Sequence, residues 1–469
     1  MDKGKALIKN TAIVSFGKIC TQLITFFLLP IYTAVLTKEQ YGIVDLLHTL
    51  TNLFLPIITL QIEQGVFRLL IDYRENKEKQ STLITTVIAF LGVQAIIYVA
   101  IFICACQFIN NEYKYLLLIN LIVSMFSAVF LQISRGLGDN KNYAIGSFIS
   151  GTATVVLNLI FIVALKLGAY GMIWATILGN LLCATYIFIS QKLYKLIDIK
   201  KYDKNTLKEI LKYSIPLIPN IISWWIVNTS DRIIITSIIG IAQNGIYSVA
   251  NKFSHVFVSL YNVFNLTWTE SASININSED KDEFFSKILD ITIRIFGALG
   301  MGIIAFMPFV FPVLINESFK DAYFQIPILM IASMFNVLVS FIGSIYVAKK
   351  ITKEIAKTSI FAAAINIVVN LSLIKFIGLY AASISTFAAY FAMFIYRYID
   401  SKKYVRLRVN KNLVTSMIAL TVISSIVYYL NNTITQVIAA LVVTVYAIYI
   451  NRNSAKFVTK VIKNKFLKR

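Results

Sequence analysis

Residues 11–35 and 43–69 form two long apolar runs, and each carries a polar stripe. The first stripe reads Thr11, Ser15, Lys18, Gln22 and Thr25, with Thr21 beside it. The second reads Asp45, His48, Asn52, Thr59 and Glu63. Steps of three, four and seven fall on one face of an α-helix, and the opposite faces here are Ile, Leu, Val and Phe. A helix that greasy on one side and charged on the other cannot turn its charge to lipid. The polar side must meet other helices or a wet cavity. Twelve further runs follow, at 82–109, 115–134, 143–165, 170–191, 213–239, 243–269, 288–315, 323–348, 355–374, 379–399, 412–430 and 433–450. Each approaches the ~20 apolar residues a spanning helix needs. The pattern predicts an all-α polytopic membrane protein with about fourteen transmembrane helices.

The seventh and eighth runs restart the first two. Run seven carries Asn220, Ser223, Asn228, Asp231 and Arg232, with Pro216 and Pro219 near its start. Run eight carries Asn244, Ser248, Asn251, Lys252, His255, Ser259, Asn262, Thr269 and Glu270. Short words also recur in order: Gly42-Ile43 as Gly245-Ile246, Ser124-Met125-Phe126 as Ser333-Met334-Phe335, and Asn158-Leu159 as Asn370-Leu371. The near-constant offset predicts two six-helix lobes as parallel repeats, 1–191 and 213–399. A basic segment at 192–212 links them along the inner membrane surface. Two extra helices, within 400–450, and a basic tail, 451–469, complete the chain.

Composition agrees. The chain of 469 residues is 58% hydrophobic and 14% charged, and its mean hydropathy is +0.73. A soluble protein carries about 25% charged residues. The net charge of +21 invites a nucleic-acid reading, but its distribution excludes one. With the N-terminus inside, the inner segments hold thirty-five Lys and Arg and the outer loops hold five. That asymmetry is the positive-inside rule, and it predicts cytoplasmic N- and C-termini. The first run is too long and too striped for a cleavable signal. Cys20, Cys104, Cys106 and Cys183 read as small core hydrophobes, and no metal-ligand spacing or cofactor motif occurs. The abundance of Ile, Lys and Asn points to an AT-rich, bacterial genome.

The chain resembles bacterial polysaccharide (O-antigen or capsule) repeat-unit flippases of the multidrug/oligosaccharidyl-lipid/polysaccharide exporter superfamily. The resemblance rests on Asn10-Thr11 opening the first striped span and on Leu36-Thr37-Lys38-Glu39-Gln40-Tyr41-Gly42. It rests also on Asp231-Arg232 and on Gly245-Ile246-Tyr247-Ser248-Val249-Ala250-Asn251-Lys252. It covers residues 8–450 and implies two lobes in a V around a cavity lined by spans 1, 2, 7 and 8. It also implies a bacterial cytoplasmic (inner) membrane and alternating access without a catalytic site. The implied cargo is an undecaprenyl-pyrophosphate-linked oligosaccharide, supplied by glycosyltransferases and consumed by a polymerase of the same pathway.

Such a cargo needs cations for its diphosphate and amides, hydroxyls and aromatics for its sugars. Lys18 and Lys252, then Arg232 and Arg294, are the candidates for the diphosphate. Gln22, Asn52, Asn220, Ser223, Asn251, His255 and Asn262 are the candidates for the sugars. Arg232 beside Asp231 could equally form a structural pair or gate, and Arg294 could pair with Asp290 one turn earlier. Coupling to H+ or Na+ would require a buried carboxylate, for which Asp45, Glu63 and Asp231 qualify; Glu63 could instead be an interfacial charge. A multidrug cation antiporter of the same superfamily is the alternative, and a membrane polymerase or glycosyltransferase a remoter one.

Overall fold

The computed structural model describes residues 26–108 and 111–466, without the side chains of Thr352 and of 453–466. Every regular element in that range is helical. Among the described residues, twelve helical segments are long and apolar enough to cross a membrane. They match twelve of the fourteen expected runs. The first run lies mostly outside the described residues; its described end is α1, Leu29–Val35. The eighth is a single helix of 35 residues whose polar stripe lowers its hydropathy.

By internal contacts the chain divides into two units, Met1–Ser248 and Val249–Arg469. The first begins its described spans with α2, Lys38–Ile58, which opens on a capping box. Thr37 Oγ1 accepts from the Gln40 backbone N–H, and Gln40 Oε1 accepts from that of Thr37, each at 3.2 Å. The expected single helix over 43–69 is broken. Leu60 and Gln61 adopt positive φ, 51° and 56°, and a new helix α3 runs Ile62–Asp72. Pro56, inside the last turn of α2, weakens the ladder just before the break.

Helices α4, Lys77–Ala105, α5, Lys114–Gly136, α6, Asn140–Asn158, and α7, Gly168–Ser190, follow. A π-helical stretch, Leu159–Ala164, extends α6. Ile62, Val66 and Leu70 of α3 pack with Leu83 and Val87 of α4, Met125 and Val129 of α5, and Ile187 of α7.

The segment 192–212 is docked rather than merely laid on a surface. A short helix α8, Leu193–Leu196, leads through a 3-10 turn to α9, Lys204–Ser214. Ser81 Oγ donates to the Leu196 carbonyl at 2.7 Å, and Thr85 and Thr86 accept from the backbone of Asp198 and Asp203. Ile210 is fully buried in the same core. The lysines point outward from an amphipathic helix whose other face is glued down. Pro216 and Pro219 then force a 3-10 turn, Ile215–Leu217, before α10, Ile218–Thr229, and α11, Asp231–Ile238. Helix α12, Ile241–Asn275, starts in this unit and continues into the second.

The second unit holds α13, Lys281–Leu314, α14, Ile326–Ala348, α15, Thr352–Ile377, α16, Leu379–Ser401, α17, Lys411–Leu430, and α18, Thr433–Phe466. Trp268 of α12 stacks on Phe341 of α14 at 4.4 Å and donates its indole N–H to the Phe341 carbonyl. Arg397 of α16 is 1% exposed and donates to Thr358 Oγ1 and the Val339 carbonyl, so it staples α16 to α15 and α14. Between them, Tyr346 donates its phenol O–H to Asp400.

Asp139, between α5 and α6, caps α6 through the Asn142 backbone N–H and accepts from the Asn142 and Gln191 side chains. Burial pushes its carboxyl up, but these bonds outweigh it and hold the group below its usual range. The stability it supplies is therefore present above about pH 4 and lost as the pH falls below that. Asp139→Ala is expected to cost about 1 kcal/mol at neutral pH. Thermal unfolding in detergent should show the difference shrinking as the pH falls below about 4.

Candidate functional site

Three chain segments of the first unit meet at one point: the start of α2, the α10–α11 joint and the start of α12. Two glycines permit the approach. A Cβ on Gly42 would overlap the Ile241 carbonyl oxygen, and a Cβ on Gly245 would overlap that of Lys38. Backbone therefore lies against backbone, as small residues allow between membrane helices.

Charge is buried directly beside this approach. Arg232 Nε lies 2.8 Å from Asp45 Oδ2, with the two side chains 6% and 14% exposed. Arg232 also donates to the Asn228 carbonyl at 3.1 Å. Ser248 Oγ donates to the other oxygen of Asp45 at 2.6 Å, and Asn244 Nδ2 donates to the Gly42 carbonyl at 2.9 Å. Asp231, 1% exposed, accepts from the Tyr247 hydroxyl at 2.9 Å. One turn further along α2, the Thr49 carbonyl accepts from the Trp225 indole N–H at 3.1 Å. The result is a closed, hydrogen-bonded cluster joining spans 2, 7 and 8. An ion pair this dry is stable only while both partners and their further bonds remain in place.

Of the residues singled out from sequence, Asp45, Asp231 and Arg232 come together here. Arg232 forms an ion pair with Asp45, which lies on another helix. Ser223 is buried and donates to the Pro219 carbonyl, and Asn220 Oδ1 is buried without a hydrogen-bond partner. Asn52 is accessible on α2. In the second unit Asn251 is buried, Lys252 is half-buried, and His255 and Asn262 are exposed. Arg294 is engaged in a local clamp: Nε meets Asp290 at 2.6 Å and Nη1 donates to the Ile450 carbonyl of α18 at 3.0 Å. Glu63 is buried at the α2–α3 break, 8% exposed. Lys18 and Gln22 lie outside the described residues. Among the described residues, no three His, Cys, Asp or Glu gather as a metal site would require.

Sequence reasoning noticed Gly42, Gly245, Asn244 and Ser248 as repeat words or stripe members without giving them a role. The signal was available: a small residue three before Asp45 in one span, and another three before Ser248 in its partner. Arg397 carries no sequence signal of its role: it lies near the end of a span, where a basic residue ordinarily belongs to the inner surface, yet it is 1% exposed.

Residues 7–268 match the family described as "Polysaccharide biosynthesis protein". An uncharacterized membrane protein of Methanocaldococcus jannaschii is 27% identical over 56% of this chain, and the chain spans 65% of that relative's length. The fold is shared with the lipid II flippase MurJ in an inward closed conformation, at a TM-score of 0.69 and 14% identity over 95% of this chain and all of that one. It is shared also with an inward-facing multidrug resistance MATE transporter of the MOP superfamily, at 0.62 and 14% identity over 82% and 95% of the two chains.

If the pair holds the cluster, breaking one side should cost more than removing both. Asp45→Ala leaves a buried, unpaired guanidinium and is expected to destabilise by about 3 kcal/mol or more. Asp45→Ala combined with Arg232→Met should recover most of that loss. A double-mutant cycle on thermal unfolding in detergent checks it; additive losses would deny the coupling.

Proposed function

Since the chain belongs to the polysaccharide biosynthesis protein family, we propose that it is a flippase for a lipid-linked oligosaccharide, not an enzyme. The cargo we infer is an undecaprenyl-pyrophosphate-linked repeat unit, carried from the cytoplasmic to the outer leaflet of a bacterial cytoplasmic membrane. Glycosyltransferases would supply it and a polymerase would consume it.

The single observation that carries this reading is the cluster around Asp45 and Arg232. It sits among apolar helices, where charge is costly and is retained for a task. By the lysine asymmetry, which puts both termini in the cytoplasm, this end faces outward. The cluster then acts as an outer gate. Its closure rests on an ion pair, the Ser248 hydroxyl, the Asn244 amide, the Trp225 indole N–H and two glycines, and on separation water can replace each polar contact. Opening exchanges the Arg232–Asp45 contact for solvation, so the barrier is modest on either side. A large headgroup could pass once α2 parts from α11 and α12.

The stripe of α12 supports the cargo assignment. Asn244, Ser248, Asn251, His255, Ser259 and Asn262 follow one another at steps of three and four along one face. Lys252 stands beside them, and an ammonium is a suitable point charge for a diphosphate. Lys18 would be its counterpart in the first span. A multidrug cation antiporter is the second reading, and it would call for acids free to meet a cationic drug. In the gate cluster Asp45 is engaged by Arg232 and Asp231 by Tyr247, which favours the first.

Expression of variants in a deletion strain, scored by surface polysaccharide at equal protein level, tests the proposal. Lys252→Ala and Lys18→Ala should each lower the product by about tenfold or more, the worth of a charge-assisted contact. Full activity of both variants would reject a diphosphate-binding role.

A further inference from the structure

The segment leading into span 7 carries seven lysines, from Lys192 to Lys212, against three carboxylates. The structure treats the two signs differently. Each carboxylate is taken up by the protein itself. Asp198 caps the 3-10 turn Ile199–Lys201 by accepting from the Lys200 backbone N–H at 3.1 Å. Asp203 caps α9, accepting from the Asn205 and Thr206 backbone at 3.3 and 2.8 Å and from the Thr206 hydroxyl at 2.6 Å. Glu209 meets the Tyr73 hydroxyl at the end of α3. Among the described residues none of the seven lysines forms an ion pair. Lys195, Lys200, Lys204, Lys208 and Lys212 are exposed. The last three stand at steps of four along α9, opposite Ile210 in the core.

Apolar side chains accompany these charges. Ile199, on the turn between α8 and α9, is 86% exposed, and Tyr194, Tyr202 and Tyr213 are exposed as well. The turn is pinned on both sides. Thr85 Oγ1 accepts from the Asp198 backbone N–H at 3.0 Å, and Thr86 Oγ1 from that of Asp203 at 3.1 Å. The backbone therefore holds an isoleucine outward among lysines. Water offers that arrangement nothing, whereas a headgroup layer satisfies every part of it. The apolar tip enters the acyl boundary, the tyrosines sit at headgroup depth, and the ammonium groups meet phosphates. By the lysine asymmetry this end of the unit lies at the inner leaflet. Helix α9 runs on through the Pro216 turn into α10, so it is the inner end of span 7.

We propose that residues 194–212 form a binding site for anionic phospholipid of the inner leaflet, with Lys200, Lys204 and Lys208 on the phosphate and Ile199 inserted beneath the headgroups. Occupancy holds the inner end of span 7 in place. The inference does not rest on the flippase reading, because it concerns the lipid around the protein and not the cargo.

Native mass spectrometry of the purified full-length protein in detergent provides the test. Phosphatidylglycerol, phosphatidylcholine with the same acyl chains, and soluble glycerol 1-phosphate are titrated in turn. The wild-type protein should bind phosphatidylglycerol about tenfold or more tightly than either of the others. A variant combining Lys195→Gln, Lys200→Gln, Lys204→Gln and Lys208→Gln should lose about tenfold or more of that affinity. A control combining Lys350→Gln, Lys402→Gln, Arg406→Gln and Lys411→Gln removes the same charge from the second unit and should keep it. Ile199→Asp alters an exposed side chain outside the core and should weaken binding by about tenfold. Glycerol 1-phosphate bound as tightly as the lipid would make this a site for a free anion, and equal loss in both fourfold variants would make the effect one of bulk charge. Either outcome overturns the proposal, as does a wild-type protein without preference or undiminished binding by Ile199→Asp.

Discussion

A charge placed among hydrocarbon-bound helices must be met by another group, and the first unit is arranged around that requirement. Asp45 and Arg232 lie on different spans and are almost fully enclosed. Neither is tolerable alone. The other carboxylate oxygen accepts from Ser248, and a second guanidinium nitrogen, Nη1, donates to the Asn228 carbonyl. The contact is thus less a source of net stability than a condition on geometry. Spans 2, 7 and 8 can approach only in the register that satisfies it, and the two glycines set how near they come.

The same economy explains where the helices are irregular. Pro216, Pro219 and the Ser230 joint divide span 7 into short pieces, and Pro56 precedes the break in span 2. Regular helix satisfies its own backbone and can face lipid anywhere. Irregular backbone is tolerated only where protein or water supplies the missing bonds. Both interruptions occur in spans that carry polar stripes, whereas α4 and α5, richer in apolar residues, run unbroken for 29 and 23 residues. The second unit uses a different solution for its deepest cation. Among the described residues Arg397 forms no ion pair and is held by neutral acceptors, while Asp400 accepts from Tyr346.

Stability and mechanism pull against each other at such sites. A well-packed apolar seam would hold the spans together more simply. An ion pair and hydroxyls hold them in a way that water can replace, which is what a moving element needs.

The sequence by itself determined the class. Apolar runs near the thickness of a bilayer, a one-sided distribution of lysine and stripes at helical spacing left room only for a polytopic helical membrane protein, because these signals are local along the chain. It also pointed to Asp45, Asp231 and Arg232 as residues of consequence, since charge within a span has no innocuous position. Tertiary structure alone decided the partners. That Arg232 reaches across to Asp45, that Arg294 is tied to α18, and that 192–212 is docked into a core are facts of packing between segments distant in sequence. So is the break that buries Glu63: a proline and two left-handed residues are permitted by many sequences, and here the packing of α3 against α5 and α9 selects them.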